Sequence, residues 1–458
     1  MKKFLALIIA VVLAVSGLSV ISITANAATI FISGNYEYTV NSDDTVNIAG
    51  YKGIATDITI PSQILNKNVV KISDNSFYNN STLTSVKIPN TIKVVGSMAF
   101  HNCTKLSKVT LPSNLTEIGY NAFEGTTALT TITIPKTVTT AGNNVFNGSA
   151  LKTATIENGA TAVADNLFSN AKNLTKVTIP NTVKKVGSMS FYHCEKLSSV
   201  TLPNTLTEIG YSAFNGTTAL TTITIPKTVT TAGNNVFNGS ALKTATIENG
   251  ATAVADNLFS NAKNLTKVTI PNTVKKVGSM SFYHCEKLSS VTLPNTLTEI
   301  GYSAFNGTTA LTTITIPKTV TKAGSDVFED SGLKTATIEN GATAVADNLF
   351  SNAKNLTKVT IPNTVKKIGS MSFYGCKSLS SVTLPNTLTE IGYSAFDGTT
   401  ALTTITIPKT VTKAGNDVFE DSGLKTATIE SGATTVADNL FSNAKNLTKV
   451  TIPNTVKK

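Results

Sequence analysis

Four cysteines and three histidines are the residues here best suited to nucleophilic or metal chemistry, and their spacing decides whether they do any. Cys103, Cys194, Cys285 and Cys376 recur every 91 residues; His101, His193 and His284 accompany the first three, and Gly375 stands where a fourth His belongs. A Cys beside a His in sequence has no third group to orient the base, as an activated nucleophile requires. A metal shell needs several ligands converging on one point, and one Cys and one His per period do not converge. The same column is filled in other periods by Thr126, Ser149, Ala171, Thr217, Ser240 and Ala262. It asks for a small side chain, and the thiols read as buried structural groups.

The acids pair no better. Glu124, Glu195, Glu208 and their copies read as solvated, with no two facing a shared cleft. Asp43-Asp44, Asp326 and Glu329-Asp330 lack the alternating spacing of a calcium loop and read as turn formers. Neither a catalytic residue, a metal site nor a cofactor is expected, and the chain reads as non-enzymatic. The candidates for ligand contact are surface columns. Tyr192 with Tyr211, Tyr283 with Tyr302 and Tyr374 with Tyr393 recur once per 91 residues, and amphipathic Tyr suits interfaces and sugar stacking. Lys176, Lys267 and Lys358 place a cation once per period on the outward face of a strand.

These columns need a repeating scaffold to hold them. Seventeen of the 19 Phe, from Phe77 to Phe441, are spaced 23, 23, 23 and 22 residues apart in a repeating cycle. Between them runs a unit such as Phe191–Ala213, FYHCEKLSSVTLPNTLTEIGYSA. Leu197, Val200 and Leu202 point inward and Ser198, Ser199 and Thr201 outward, the pattern of a strand with one buried face. Pro203 then ends the strand, having no N–H to give a neighbouring ladder. Leu206 and Ile209 suggest a second short strand, and Gly210 a tight turn. A coil this short cannot bury its own apolar face, so stacked copies must share one core.

Four coils make a 91-residue super-unit, and residues 191–281 and 282–372 are nearly verbatim copies. In each super-unit the third coil is 22 long and carries Glu157, Glu248, Glu339 or Glu430 where the others carry Pro. An outward Thr recurs in 16 successive coils, Thr110 to Thr451. The neighbouring column cycles Lys176, Ser199, Thr222, Thr244, Lys267, a periodic charge that speaks against a flat ice-binding lattice. Stacking at about 4.8 Å per coil predicts a rod of about 17 coils and roughly 80 Å. It also sets the cysteines roughly 19 Å apart, beyond the about 4.4–6.8 Å between disulfide Cα atoms.

The coil L-x-x-V-x-I-P-x-T-V-x-x-I-G-x-x-A-F-x-x-C resembles the BspA-like leucine-rich repeats of bacterial surface proteins, over about residues 58–458. The resemblance implies a right-handed repeat solenoid, β-rich with short helical or 3-10 corners. Tyr36–Val40, Asn41–Thr45 and Val46–Ile48 resemble the hairpin cap that often precedes such arrays. It further implies a secreted or surface-attached protein that adheres to host or cell-surface macromolecules. Unlike many relatives, the sequence shows neither a wall-sorting signal nor an added domain. It stops at Lys458 halfway round a coil, where an uncapped edge is expected.

The expected organisation is a signal peptide at 1–27, an N-terminal β cap with an atypical first coil at 28–76, and the array at 77–458. Lys2-Lys3, the apolar run Phe4–Ile23 and Ala25-Asn26-Ala27 have the order of an export signal, cleaved after about Ala27. Its removal leaves 36 Lys against 27 acids, a net charge of +9 with no Arg. That balance suits anionic wall polymers or glycans, bound weakly and in a salt-dependent way. Nucleic acid is a poor fit without Arg, and contact with a membrane is expected only through the signal segment. The partner expected is an extracellular protein or glycan; the alternative is a passive spacer or stalk.

Overall fold

The computed structural model describes residues 29–457, so the export signal expected at 1–27 lies outside the described residues. The chain winds into a β-solenoid of about 18 turns. Its first strands, Phe31–Ser33, Tyr36–Val40 and Val46–Tyr51, pair antiparallel, and from Val46–Tyr51 onward every coil-to-coil pairing is parallel. A parallel stack follows from the repeat, because each coil returns the chain to the same point one rung further on.

A coil contributes to as many as three ladders. The first sheet holds the alternating Thr-Ile-Thr-Ile segments: Thr131–Ile134, Thr153–Ile156 and Lys176–Thr178 pair in register, with Ile132 and Ala154 buried and Thr133 and Thr155 outward. The second sheet is built from two-residue strands, such as Lys185–Val186 against Glu208–Ile209. The third ladder runs along the Phe corner, where Met189, Phe191 and His193 donate backbone N–H groups to the carbonyls of Tyr211, Ala213 and Asn215 at 2.8, 2.9 and 2.8 Å.

That corner corrects the expectation of short helical or 3-10 corners: the described residues contain no helix. The residues two before and two after each Phe are left-handed, as Met189 and His193 are at φ 52°. Reversal of hand at those points breaks any helical run. It also turns every second N–H toward the next coil, where a helix would keep those bonds to itself. Asn fills many of these positions, including Asn166 and Asn170, because its short polar side chain tolerates this region best after Gly.

Inside, the Phe rings stack face over face from Phe77 to Phe441, with centroids 4.9 to 6.0 Å apart. All but Phe441 are buried. The regular stack relaxes once per super-unit. At Phe146–Phe168, Phe237–Phe259, Phe328–Phe350 and Phe419–Phe441 the centroids move out to 5.8–6.0 Å and the rings tilt by 21–24°. These are the 22-residue coils. Phe146 and Leu151 are one residue closer in sequence than Phe123 and Leu129, and the shortened link cannot keep all three ladders in register. The first sheet keeps its pairing there. The second sheet stops between Thr231–Ala232 and Ala253–Val254, and the N–H groups of Phe146 and Phe237 have no partner in the next coil. Side chains bridge that corner, with Asn170 Nδ2 donating to Asn144 Oδ1 at 2.7 Å and Asn261 to Asn235 at 2.8 Å.

A second interruption falls on the opposite sheet one coil earlier. The segment Ser199–Leu202 touches Lys176 through an isolated bridge at Ser199 and forms no ladder with Thr222–Ile225. The same gap recurs at Ser290 and Ser381. Its sequence, Ser-Val-Thr-Leu, keeps the same alternation as the neighbouring Thr-Ile-Thr-Ile. Among the described residues no helix is long and apolar enough to cross a membrane.

Candidate functional site

The gap in the first sheet opens a cleft on the Thr face. One cleft is lined by Ser199, Thr201 and Asn204 of one coil, Thr222 and Thr224 of the next, and Glu248 of the third. Its counterparts recur at Ser290–Glu339 and Ser381–Glu430. These three measure about 570, 480 and 460 Å³. A smaller one of about 260 Å³ lies at Val109–Glu157.

Chain geometry explains the lining. Outward Thr residues of adjacent rungs stand in register, Thr222 opposite Thr244 and Thr224 opposite Thr246. Because Thr222–Ile225 pairs on one side only, its other edge turns unpaired backbone groups toward the opening. Glu248 closes the end of the cleft. Its own N–H continues the ladder to the Ile225 carbonyl at 3.0 Å, and its Oε2 accepts from the backbone N–H of Lys227 at 3.2 Å. Glu157, Glu339 and Glu430 repeat both bonds. This explains Glu in place of Pro, since Pro could supply neither bond.

The columns singled out in the sequence are divided between faces. Lys176, Lys267 and Lys358 are exposed on the first sheet, one rung before each detached segment. Tyr211, Tyr302 and Tyr393 are half exposed and follow second-sheet strands, away from the Lys column. Each Tyr pair is not a ring pair. Tyr192 meets His193 edge-on at 4.4 Å and Tyr283 meets His284 at 4.3 Å, while Tyr374 is only partly exposed beside Gly375. Tyr120, exposed like Tyr211, belongs to the same column and was missed because its coil has His101 where the others have the partner Tyr. The cleft was missed too: its residues are ordinary strand residues, and only a failure of pairing makes them a site.

The cysteines lie inside. All four are free and buried, and Cys194 Sγ donates to the Phe168 carbonyl of the preceding coil at 3.1 Å. Burial pushes the Cys103 thiol up to about 12 and moves Cys194, Cys285 and Cys376 in the same direction. A raised thiol is a poor nucleophile at neutral pH. His101 Nε2 lies 3.3 Å from Glu124 Oε2 at the corner, where both side chains are partly buried. Among the described residues no group of three or more His, Cys, Asp or Glu could hold a metal ion.

The acids form short coil-to-coil pairs instead. Lys185–Glu208, Lys276–Glu299 and Lys367–Glu390 meet at 2.9–3.0 Å on the second sheet. Such partly exposed pairs contribute about 0–1 kcal/mol each. Carboxylates crowd at the corner of the last super-unit, where Asp397 lies among Asp417, Glu420 and Asp421. There burial first, and then Glu420, push Asp397 up to about 6.

The sequence profile of the BspA type leucine rich repeat region matches residues 55–175, 161–289, 230–357 and 343–458 in 6 copies. Among solved structures, a leucine-rich repeat protein from Bacteroides ovatus is 25% identical with a TM-score of 0.52, the match covering 92% of this chain and 99% of that one. A leucine rich cell surface protein from Faecalibacterium prausnitzii is 25% identical with a TM-score of 0.38, over 94% and 96% of the two chains. A leucine-rich repeat protein from Eubacterium ventriosum is 26% identical with a TM-score of 0.40, over 87% and 96%. No curated protein matches the chain.

Proposed function

Because the chain belongs to the BspA-type leucine-rich repeat family, which its repeats match from residue 55 to 458, we propose that it is a non-enzymatic recognition rod. It acts outside the cell, secreted or held at the surface, and binds an extracellular protein or glycan through contacts repeated along its length. The observation that carries this reading is the polar cleft on the Thr face, which returns with the 91-residue period at Glu157, Glu248, Glu339 and Glu430. Hydroxyls, an amide and a carboxylate set around exposed strand edge are the groups that hydrogen-bond a sugar or a peptide backbone. Lys176, Lys267 and Lys358 add a cation beside each cleft, and the Tyr column adds apolar faces on the other sheet.

A site of this kind is weak singly and gains from repetition, since linked contacts raise the effective concentration of the next one. The test is binding of the purified protein to immobilised matrix proteins, mucins and anionic wall polymers at low and moderate salt. Binding that falls when Asn204, Asn295 and Asn386 are replaced together by Leu supports the cleft. Loss only on replacing Tyr211, Tyr302 and Tyr393 by Ser moves the site to the other face. If no surface is bound at low salt, recognition is overturned and the rod is a passive spacer.

A further inference from the structure

Seven Asn-Gly pairs occur in the sequence, at Asn147, Asn158, Asn215, Asn238, Asn249, Asn306 and Asn340. At such a pair the glycine nitrogen can close on the asparagine side chain, because no Cβ hinders its approach. The nitrogen must first give up its proton and any hydrogen bond that proton makes. The fold divides the seven by this requirement.

Gly216 and Gly307, after Asn215 and Asn306, donate their N–H to the carbonyls of Asn238 and Glu329 in the next coil, at 2.8 and 2.9 Å. Gly159, Gly250 and Gly341, after Asn158, Asn249 and Asn340, donate to the hydroxyls of Thr182, Thr273 and Thr364, each at 3.1 Å. Gly148 and Gly239, after Asn147 and Asn238, donate to nothing in the protein. They sit where the 22-residue coil interrupts the corner ladder, and both glycines are exposed at φ 65°.

We infer that Asn147 and Asn238 are the chain's preferred sites of spontaneous deamidation. The Gly239 nitrogen loses its proton to solvent base and bonds to Asn238 Cγ. The bond from Cγ to the side-chain nitrogen breaks, and ammonia leaves carrying the returned proton. The resulting cyclic imide is opened by one water molecule at either carbonyl, giving aspartate or its isomer with the chain running through the side-chain carbon. No oxidant or reductant is involved. The product adds a carboxylate where the third and fourth super-units already carry Glu329 and Glu420. Lys354 lies 3.7 Å from Glu329, and Lys263 is its counterpart in the super-unit of Asn238. Deamidation therefore converts the early super-units toward the charge pattern of the later ones.

The repeats supply their own internal controls. Trypsin releases Thr137–Lys152 and Thr228–Lys243 as one identical sequence carrying Asn147 or Asn238. Leu197–Lys227 and Leu288–Lys318 are a second identical pair, carrying Asn215 or Asn306. Thr153–Lys172, Thr244–Lys263 and Thr335–Lys354 are a third set, carrying Asn158, Asn249 or Asn340. The intact protein is held in mildly alkaline buffer, digested at intervals, and the amide-to-acid mass change followed by mass spectrometry. The first set should convert roughly 2–10-fold faster than the other two, the factor expected from freeing one N–H of its hydrogen bond. In the same peptides digested before incubation, that advantage should vanish. Equal rates in the folded protein, or a ratio that persists unchanged in the free peptides, overturns the assignment.

Discussion

At the scale of single residues, the core contains groups whose chemistry works against their place. Ser190, Ser281 and Ser372 are fully buried, and their hydroxyls have no hydrogen-bond partner. The same column holds Ala99, Ala122, Ala213 and Ala304, all buried. An unsatisfied buried hydroxyl costs about 1–3 kcal/mol, so Ser190→Ala, Ser281→Ala and Ser372→Ala should each stabilise the fold by about 1 kcal/mol. A rise in the urea midpoint checks this, and an unchanged midpoint means that water or a rotated hydroxyl satisfies the group. The thiols give a pH prediction. Because burial raises the folded thiols, they stay neutral while an unfolded thiol ionises near about 8.5. Their contribution is therefore complete below about pH 8 and is lost progressively as the pH rises from the unfolded value toward the folded one, about 12 for Cys103. The urea midpoint should begin to decline at about pH 8 and keep falling through about pH 10. A variant with all four Cys replaced by Ala, the residue at Ala171 and Ala262 in the same column, should show a flatter profile.

At the scale of the coil, Glu248 does two jobs that a side-chain count misses. Its N–H extends the ladder to Ile225 and its carboxylate caps the N–H of Lys227. Glu248→Pro restores the usual coil sequence yet removes both bonds, and should cost about 2–3 kcal/mol. Glu248→Gln keeps an acceptor and the N–H, and should cost under about 1 kcal/mol. Equal losses in denaturant unfolding would leave the ladder bond without weight. The sequence shows where this Glu sits but not what it bonds, because the partner is 21 residues away on another coil. The limit is general here. The Phe stack, the strand-ending Pro and the Thr column were legible, since each is a repeated residue type with one mechanical meaning. The left-handed corner was not, because Met189, Ser212 and His193 do not announce positive φ as Gly does. The detached rung was not either, since Ser199–Leu202 has the same alternation as strands that pair. The cleft it opens was therefore invisible, while Tyr211, Tyr302 and Tyr393 do form an exposed column, but their rings do not pair with Tyr192, Tyr283 and Tyr374 as the spacing suggested, because Tyr192 and Tyr283 turn onto their own neighbouring His.

At the scale of the whole molecule, the two interruptions fall on opposite sides of the stack. The first sheet opens at Ser199–Leu202, and the second sheet with the corner opens beyond Thr231–Ala232. Both recur once in every 91 residues. The mechanical unit is thus the super-unit, and adding or removing a whole one should leave every remaining joint unchanged. Deleting 282–372 joins Ser281 to Phe373 and recreates the same Ser-Phe step found at Ser190-Phe191. Repeat proteins gain stability from each unit and its neighbours, so this shortened chain should fold, with circular dichroism per residue unchanged and a smaller denaturant m-value. Deleting half a coil should not fold, because it places apolar strand residues on the outside. The same deletion separates the two functional readings. It removes one of the three large clefts, at Ser290–Glu339. A short oligomeric ligand should then bind with unchanged affinity per site and lower stoichiometry, whereas a long polymer should lose affinity more than proportionally as linked contacts disappear. A spacer predicts that length alone changes, with neither stoichiometry nor avidity to lose.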